Sequence, residues 1–166
     1  PLEYMVATLN NFGGYYSTEL YVNEARMHGG IIEAPCVNHS FKKACIDCKI
    51  IYLGFMFLSS LESRIIKKLL KERLKHGVYK SLDDFIDRIP ISIEQISILI
   101  KINAFRFTGR NKRELLWEAH MKINKVSFEE HIITLFKTEK ISYQTPQLPS
   151  SALENAFDEI ELLGFP

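Results

Sequence analysis

The chain has 166 residues, of which 46% are apolar and 25% are charged, a composition typical of one folded domain or two small ones. No apolar run reaches the roughly 18 residues that a membrane span needs. Three cysteines are an odd number, which argues against a disulfide framework and favours a reducing cytoplasm. No signal peptide is recognisable, and a start at Pro1 without an initiator methionine leads us to expect a piece of a longer protein.

The overall net charge of +1 hides an uneven distribution along the chain. Residues 1–50 carry a net charge of −1, residues 51–125 carry +7 and residues 126–166 carry −5. A basic middle part between acidic ends predicts contact with a polyanion. A solvated basic helix would give the same charge pattern, and this alternative stays open.

The apolar periodicity and the capping residues predict a mainly α-helical chain with a small β-sheet insertion, an α+β fold. Helices are expected over residues 1–11, 18–28, 58–76, 81–89, 92–102, 106–125, 128–137 and 151–163. Strands are expected over residues 31–34, 41–46 and 49–53, with Asp47 and Cys48 in the turn. Two prolines and little periodicity predict a linker over residues 138–150.

The longest predicted helix, over residues 58–76, has two different faces. Ser59 or Ser60 is expected to cap its start, and Gly77 is expected to end it. The core side is expected to hold Leu61, Ile65, Ile66, Leu69, Leu70 and Leu74. The other side carries the cations Arg64, Lys67, Lys68, Lys71 and Lys75.

The stretch from Ser92 to Leu115 predicts a helix, a tight turn and a second helix. Ser92 is expected to cap the first helix, with Gln95 completing a capping box, and Asn103 suits a left-handed position at its end. The start of the second helix is crowded by Arg106, Thr108, Gly109, Arg110, Asn111, Lys112 and Arg113. Free N–H groups and the positive dipole end predict a phosphate site there. The alternative is a solvated basic turn.

Four soft ligands lie within 13 residues, with the spacing Cys36-x2-His39-x5-Cys45-x2-Cys48. Two x2 spacings are typical of tetrahedral zinc sites, so these residues form a candidate metal site. The alternative is that they bind no metal, because Cys45 and Cys48 flank a predicted strand turn, where side chains alternate in direction.

No pattern in the sequence predicts a catalytic centre in this chain, and no catalytic residue is proposed from it. Asp83 and Asp84 form a carboxylate pair, but a capping box with Ser81 and the helix dipole already explain both. The sequence contains no glycine-rich nucleotide-binding loop.

Several pieces of sequence, in order, resemble bacterial DNA polymerase III alpha subunits, the family C polymerases. Three pieces resemble the end of that family's fingers region, with its Glu-x-x-Arg helix and Pro-Asp-Val-Asn-x-Ser loop. They are PLEYMVATLNN, ELYVNEARMHG, and IIEAP followed by VNHS. The family's second helix-hairpin-helix and the helix after it are similar to SLDDFIDRI, LIKINAF and NKRELLWE. ENAFDEIELLGFP resembles the segment before its nucleic-acid-binding barrel.

The resemblance implies four regions around a tandem helix-hairpin-helix core. Residues 1–30 would form the helical end of the fingers, and residues 31–54 a small β element. Residues 55–125 would form the tandem helix-hairpin-helix. Residues 126–166 would form a helix, a linker and a terminal helix that leads to a downstream domain.

The resemblance also implies a function. The parent would be a DNA-directed DNA polymerase, a bacterial cytoplasmic nucleotidyltransferase of DNA replication that uses Mg²⁺. This segment would hold no cofactor and be inactive alone, because the family's catalytic aspartates lie in a palm domain upstream of Pro1. Its partners would be double-stranded DNA, as the primer–template duplex, and the remaining polymerase domains, with no membrane. The main replicative polymerase and a repair-type paralogue both fit.

In this family the tandem hairpins hold duplex DNA by its phosphates without reading its sequence, a task that suits backbone N–H groups, helix dipoles and cations. The candidate DNA-binding residues that follow are Asn103, Arg106, Thr108, Gly109, Arg110, Asn111, Lys112, Arg113, Lys67 and Lys71.

The sequence departs from the family pattern in the first hairpin, where Ser60-Leu61-Glu62 stands in place of Gly-Val-Gly. Both glycines are absent and a carboxylate stands where a phosphate would approach, so we expect DNA binding there to be weak or abolished. In the second hairpin Asn103 replaces the family's glycine and suits a left-handed position, so this hairpin is expected to carry most of the grip. Cys36 replaces an aspartate, which favours a local peculiarity over a family-wide metal site. The alternative function is a decayed helix-hairpin-helix that serves as an interdomain scaffold or protein-binding element without DNA affinity.

Overall fold

The computed structural model describes residues 2–11, 15–129 and 151–166, with side chains as far as residue 124 in the long sixth helix. Its helices are α1 (Leu2–Asn10), α2 (Thr18–Met27), α3 (Ser63–His76), α4 (Leu82–Arg88), α5 (Ile93–Lys101), α6 (Lys112–Glu129) and α7 (Ala152–Leu163). Its strands are β1 (Ile31–Glu33), β2 (Cys45–Asp47) and β3 (Ile50–Tyr52), and short 3-10 turns lie at Phe55–Phe57 and Arg106–Thr108. The predicted mainly α fold with a small sheet is confirmed. No described helix is long and apolar enough to cross a membrane.

Serine caps start four of these helices, and those at Ser81 and Ser92 are where the sequence predicted them. The hydroxyl oxygens of Ser17, Ser81, Ser92 and Ser151 each accept a hydrogen bond from the backbone N–H three residues later. Each bond satisfies one of the N–H groups that a helix start leaves unpaired. Local sequence therefore sets where α2, α4, α5 and α7 begin.

The sheet has the strand order β1–β3–β2, with β1 parallel and β2 antiparallel to β3. The prediction of a strand from residue 41 is wrong, since β2 begins only at Cys45. Before it, the backbone of Ala44 is bonded on both sides by the Asn10 side chain, at 2.7 Å and 2.8 Å. The turn also lies one residue later than predicted, at Cys48 and Lys49, with Cys48 left-handed at φ 55°.

The prediction that one helix spans residues 58–76 is wrong at its start. Residues 58–62 form a loop, which we call the first hairpin loop, and α3 begins at Ser63 after Glu62 as its N-cap. The predicted cap residues Ser59 and Ser60 therefore lie in the loop. Leu61 is 9% exposed, so the loop places this residue in the core as predicted.

The inner face of α3 contains a charged residue that periodicity did not predict. Arg73 is 9% exposed, donates to the carbonyl oxygen of Val37 at 2.7 Å and lies 4.9 Å from the ring centroid of Phe41. Arg73 follows Leu69 by one helical turn and so shares its inward face. Leu74, predicted to be buried, is 81% exposed.

The main apolar core is shared by α3, α4, α5, α6 and the end of α7. Its centre is aromatic: the rings of Tyr79 and Phe85 meet edge-on at 4.8 Å, and those of Phe85 and Phe105 at 5.1 Å. Two smaller apolar clusters join α1 and α2 to the sheet, and Phe165 after α7 packs into one of them with Leu9.

The segment between β1 and β2 connects the sheet to this core through its backbone. Val37 donates its N–H to the carbonyl oxygen of Ala104 at 3.1 Å. The Asn38 side chain bonds the N–H of Tyr79 at 2.8 Å and its carbonyl oxygen at 2.9 Å. The Ser40 hydroxyl accepts from the Cys36 N–H at 3.0 Å. The polar residues of this loop therefore have structural partners.

Helix α6 continues to Glu129 without the break that was predicted near residue 125. A separate helix over residues 128–137 is therefore wrong where it overlaps α6, and residues 130–137 lie outside the described residues. The predicted linker over residues 138–150 also lies outside them.

Leu69 and Leu74 give a matched test of how α3 is oriented. Leu69→Ala should lower the free energy of unfolding by about 2–5 kcal/mol, because it leaves a cavity in the core. Leu74→Ala should change the free energy by less than about 0.5 kcal/mol, because that side chain faces solvent. Urea unfolding of both variants measures the difference, and equal losses would contradict this orientation of α3.

Candidate nucleic-acid interface

The second hairpin, residues 102–113, joins the end of α5 to the first residues of α6, and α6 begins at Lys112 and not at residue 106 as expected. Asn103 is left-handed at φ 61°, and Ala104 donates its N–H to the carbonyl oxygen of Leu99 at 2.9 Å. Ala104 and Phe105 are fully buried. Gly109 is left-handed at φ 64°, and the side-chain oxygen of Asn111 accepts from the Arg113 N–H at 3.0 Å.

Arg106 is turned toward the chain itself. Its guanidinium donates to the carbonyl oxygen of Ala34 at 3.0 Å and pairs with the Glu33 carboxylate at 3.2 Å. It therefore ties the second hairpin to the end of β1. Thr108 is also bonded within the hairpin, because its hydroxyl donates to the carbonyl oxygen of Phe105 at 2.8 Å.

The other three cations of the second hairpin also face carboxylates. Arg110 pairs with Glu118 and lies 3.7 Å from Glu114, both on the helix α6 that follows it. Lys112 pairs with Asp158 at 3.2 Å, and Arg113 pairs with Glu154 at 2.9 Å.

Helix α7 supplies the carboxylates that meet the start of α6. The Lys112 and Asp158 side chains are only 12% and 16% exposed, so this pair is mostly shielded from water. On the same helix Glu161 lies 3.5 Å from Lys101 of α5. The acidic composition of residues 126–166 was visible in the sequence, but its pairing with the second hairpin was not predicted.

The first hairpin loop keeps a left-handed residue although it has no glycine. Ser60 has φ 65°, and the Ser59 N–H donates to the carbonyl oxygen of Leu162 at 2.8 Å. Gln95 of α5 bonds Ser60 and Glu62, at 2.9 Å and 2.8 Å. The predicted capping box is therefore only half formed, because the Gln95 side chain bonds this loop and not its own N-cap.

The outer face of α3 is a stripe of cations that starts beside this loop. It comprises Arg64, Lys67, Lys68, Lys71 and Lys75, at the spacing of one helical face and all exposed. Arg64 pairs with Glu62 at 3.1 Å, with the two side chains 80% and 48% exposed. Within the described part of the chain, the four lysines form no ion pair.

The candidate zinc ligands are not brought together. Cys36 is buried, the His39 ring stacks on the Tyr52 ring at 5.3 Å, and Cys48 is exposed in the β2–β3 turn. Burial raises the pKa of the Cys45 thiol, which opposes the thiolate form that binds metals. Among the residues that the structure describes, no group of three or more His, Cys, Asp or Glu side chains could hold a metal ion.

The Asp83–Asp84 pair has a structural role, as its position at a helix start predicted. Asp84 accepts from the Lys80 N–H at 3.0 Å and pairs with Arg88 at 3.3 Å. Asp83 pairs with Lys122 of α6 at 2.9 Å. Burial alone would lower the pKa of Lys122, but the hydrogen bonds that its ammonium donates to Asp87 and Asp83 raise it overall, so the lysine holds α4 to α6 as a cation.

The 3-10 turn at Phe55–Phe57 is joined to α3, and α5 is joined to α6, by a tight turn with a left-handed residue, and this arrangement defines a helix-hairpin-helix protein. A family model described as "Helix-hairpin-helix motif" matches residues 29–115, just over half of the chain, and the chain belongs to this family. The matched residues include the sheet, the first hairpin and the second hairpin.

Relatives among characterised proteins are DNA polymerases. The error-prone DNA polymerase of Mycobacterium bovis (strain ATCC BAA-935 / AF2122/97) is 34% identical over 108 residues, 64% of this chain and 10% of the relative. The DNA polymerase III subunit alpha of Treponema pallidum (strain Nichols) is 30% identical over 121 residues, 69% of this chain and 10% of the relative. The error-prone DNA polymerase of Vibrio parahaemolyticus serotype O3:K6 (strain RIMD 2210633) is 28% identical over 138 residues, 80% of this chain and 13% of the relative. The predicted resemblance to DNA polymerase III alpha subunits is confirmed, and the chain spans about a tenth of the length of these relatives.

Arg106→Ala tests whether this residue holds the fold together. It should lower the free energy of unfolding by about 1–3 kcal/mol, because the loss of a charged donor leaves partly buried carbonyl oxygens unpaired. Arg110→Ala, a control in the same hairpin whose arginine side chain is more exposed, 39% against 25%, should cost about 0–1 kcal/mol. Urea unfolding checks both, and a stable Arg106→Ala variant would return this residue to the candidates for a DNA contact.

Proposed function

We propose that this chain is a segment of a DNA polymerase and that it holds double-stranded DNA by its phosphates without reading the base sequence. Membership of the helix-hairpin-helix family and the similarity to DNA polymerases support this proposal. The parent protein would be a nucleotidyltransferase of DNA replication that uses Mg²⁺, and this chain alone would be catalytically inactive. Its partners would be the primer–template duplex and the remaining polymerase domains.

The observation that carries the proposal is the cation stripe on α3. Its four lysines, which form no ion pair within the described residues, repeat along about 12 Å of helix at 1.5 Å per residue, a length over which one DNA strand presents several phosphates. The stripe adjoins the first hairpin loop, where the N–H groups of Ser63 and Arg64 have no partner within the described residues. Backbone N–H groups at a helix start and lysines beside them are a suitable phosphate grip.

Glu62 opposes this grip at the position where a phosphate would approach. Its carboxylate is 48% exposed and, among the residues that the structure describes, pairs with Arg64 alone. An exposed pair of this kind contributes about 0–1 kcal/mol, so a phosphate can compete for Arg64 at small cost. The first hairpin is therefore proposed as a weak but usable DNA contact.

The second hairpin contributes differently in this proposal. Asn103, Gly109 and Asn111 shape its backbone, while its cations are paired with carboxylates. Lys112 and Arg113 would reach DNA only if phosphates replaced Asp158 and Glu154. The grip is thus proposed to centre on Lys67 and Lys71 of α3, with the second hairpin as a supporting contact.

A scaffold function is the second candidate, and the contacts of α7 favour it. Lys112–Asp158 and Arg113–Glu154 join the second hairpin to α7, and Leu162 of α7 is buried in the main core. These contacts suit an element that connects neighbouring polymerase domains without touching DNA. Titration of the chain with duplex DNA at about 50 mM salt separates the two functions, because counterion release makes even non-specific binding strong at low salt. No detectable binding would favour the scaffold.

Lys67→Gln combined with Lys71→Gln tests the cation stripe. The slope of log K against log salt concentration should fall in magnitude by about 2, because each lysine is expected to neutralise one phosphate. Binding should weaken by the same factor for two duplexes of unrelated sequence, because phosphate contacts carry no base information. Fluorescence anisotropy at salt concentrations between about 50 and 200 mM gives both quantities.

Lys43→Gln combined with Lys49→Gln is the matched control for that experiment. Both lysines are exposed, lie in the β element and have no ion pair within the described residues. The change in net charge is the same, so a general effect of charge would lower the slope equally in both double variants. An equal decrease would contradict a specific contact at α3.

Glu62→Gln should strengthen binding to duplex DNA. Removing one like charge beside the phosphates is expected to lower the dissociation constant by about two- to fivefold at low salt. Glu19→Gln on α2 has the same charge change at another exposed helix start and should have a smaller effect. If Glu62→Gln leaves the dissociation constant unchanged, the first hairpin loop does not face the phosphates.

A further inference from the structure

The first hairpin loop holds a glycine-like backbone without a glycine. Ser60 has φ 65°, a region that side chains with a Cβ disfavour. The next residue, Leu61, is buried in the main core, while Ser60 and Glu62 on either side are exposed. Burial of Leu61 alone fixes one side chain but leaves the neighbouring peptide groups free to rotate. Something else must therefore hold the backbone on both sides of it.

Gln95 makes that connection with both atoms of its amide. Its Nε2 donates to the carbonyl oxygen of Ser60 at 2.9 Å, and its Oε1 accepts from the N–H of Glu62 at 2.8 Å. The side chain is 9% exposed, so water competes weakly for these bonds. The two bonds fix the peptide group that follows Ser60 and the one that precedes Glu62.

We propose that Gln95 is a positioning residue that takes over the role of the absent glycine. By bonding Ser60 and Glu62 it keeps the loop in the shape that presents the N–H groups of Ser63 and Arg64 to a DNA phosphate. This inference rests on the proposed DNA contact at the first hairpin. Gln95 itself touches no DNA and acts only through the loop.

The position of Gln95 makes the two hairpins dependent on each other. Gln95 lies in the first turn of α5, which is the first helix of the second hairpin. Its two bonds reach back 33 and 35 residues to the first hairpin loop. A shift of α5 would therefore change the loop, so the phosphate contact of one hairpin depends on the placement of the other.

A double-mutant cycle between Gln95→Leu and Ser60→Gly tests the proposal in the 166-residue chain. The readout is the dissociation constant for a mixed-sequence 20-base-pair duplex at low salt, measured where thermal melting shows each variant to be folded. Gln95→Leu is expected to weaken binding about tenfold, within the range of measured coupling between contacting residues. Ser60→Gly should recover most of that loss, because glycine adopts the left-handed conformation without a clamp.

The cycle separates positioning from mere stabilisation. An equal effect of Ser60→Gly with and without Gln95 would overturn the proposal, as would a Gln95→Leu variant that melts earlier but binds DNA as tightly as the parent chain. If Gln95→Leu does not fold, Gln95→Glu takes its place. The glutamate keeps the acceptor for Glu62 but loses the donor to Ser60, so it should weaken binding and be rescued by the same glycine.

A failure of this inference is distinguishable from a failure of the proposed function. The Lys67→Gln, Lys71→Gln variant is measured with the same duplex. If its binding weakens while the cycle shows no coupling, DNA contacts α3 and Gln95 has no positioning role. If none of the variants changes binding, the DNA contact at the first hairpin is itself wrong, and the inference about Gln95 is overturned with it.

Discussion

The edge-on packing of Phe85 against Phe105 is the contact on which both hairpins depend. The two rings lie 5.1 Å apart, and Tyr79 meets Phe85 at 4.8 Å, with all three side chains at most 1% exposed. Such ring pairs add about 0.5–1.5 kcal/mol each beyond the area they bury. Phe105 belongs to the second hairpin, and Leu69 of α3 packs into the same core. The backbone of each hairpin is therefore positioned by a core that the two share.

Buried polar groups extend this arrangement to the small sheet. The segment after β1 accepts from Arg106 at Ala34 and from Arg73 at Val37, while Asn38 bonds the backbone of Tyr79 on both sides. Arg73 of α3 and Arg106 of the second hairpin thus donate hydrogen bonds to backbone carbonyl oxygens of one short segment. Basic residues of this chain serve two purposes, since some connect its parts and others remain in water. Charge counted along the sequence cannot separate the two groups.

The sequence was a good guide wherever local chemistry decides the structure. Serine caps, the helical periodicity of α5 and the left-handed Asn103 all follow from neighbouring residues, and the structure has them where they were predicted. The errors have long-range causes. The Asn10 side chain hydrogen-bonds the backbone of Ala44, 34 residues away in the sequence. The Gln95 side chain bonds Ser60, which lies 35 residues earlier, and does not bond the start of its own helix. The acidic partners of Lys112 and Arg113 lie 46 and 41 residues downstream, where no periodicity could indicate them.

The burial of the competing ion pairs decides which hairpin a phosphate can reach at lower cost. Arg64–Glu62 is 80% and 48% exposed, and pairs of this kind contribute about 0–1 kcal/mol. The Lys112 and Asp158 side chains are 12% and 16% exposed. Breaking this pair should therefore cost closer to the about 3–5 kcal/mol that is lost when one partner of a buried pair is removed. A phosphate that displaced Asp158 would also leave that carboxylate unpaired against the core side of α7. In the proposed DNA contact, the absence of two glycines therefore does not by itself direct DNA to the second hairpin, because Lys112 would cost more to release from its carboxylate than Arg64.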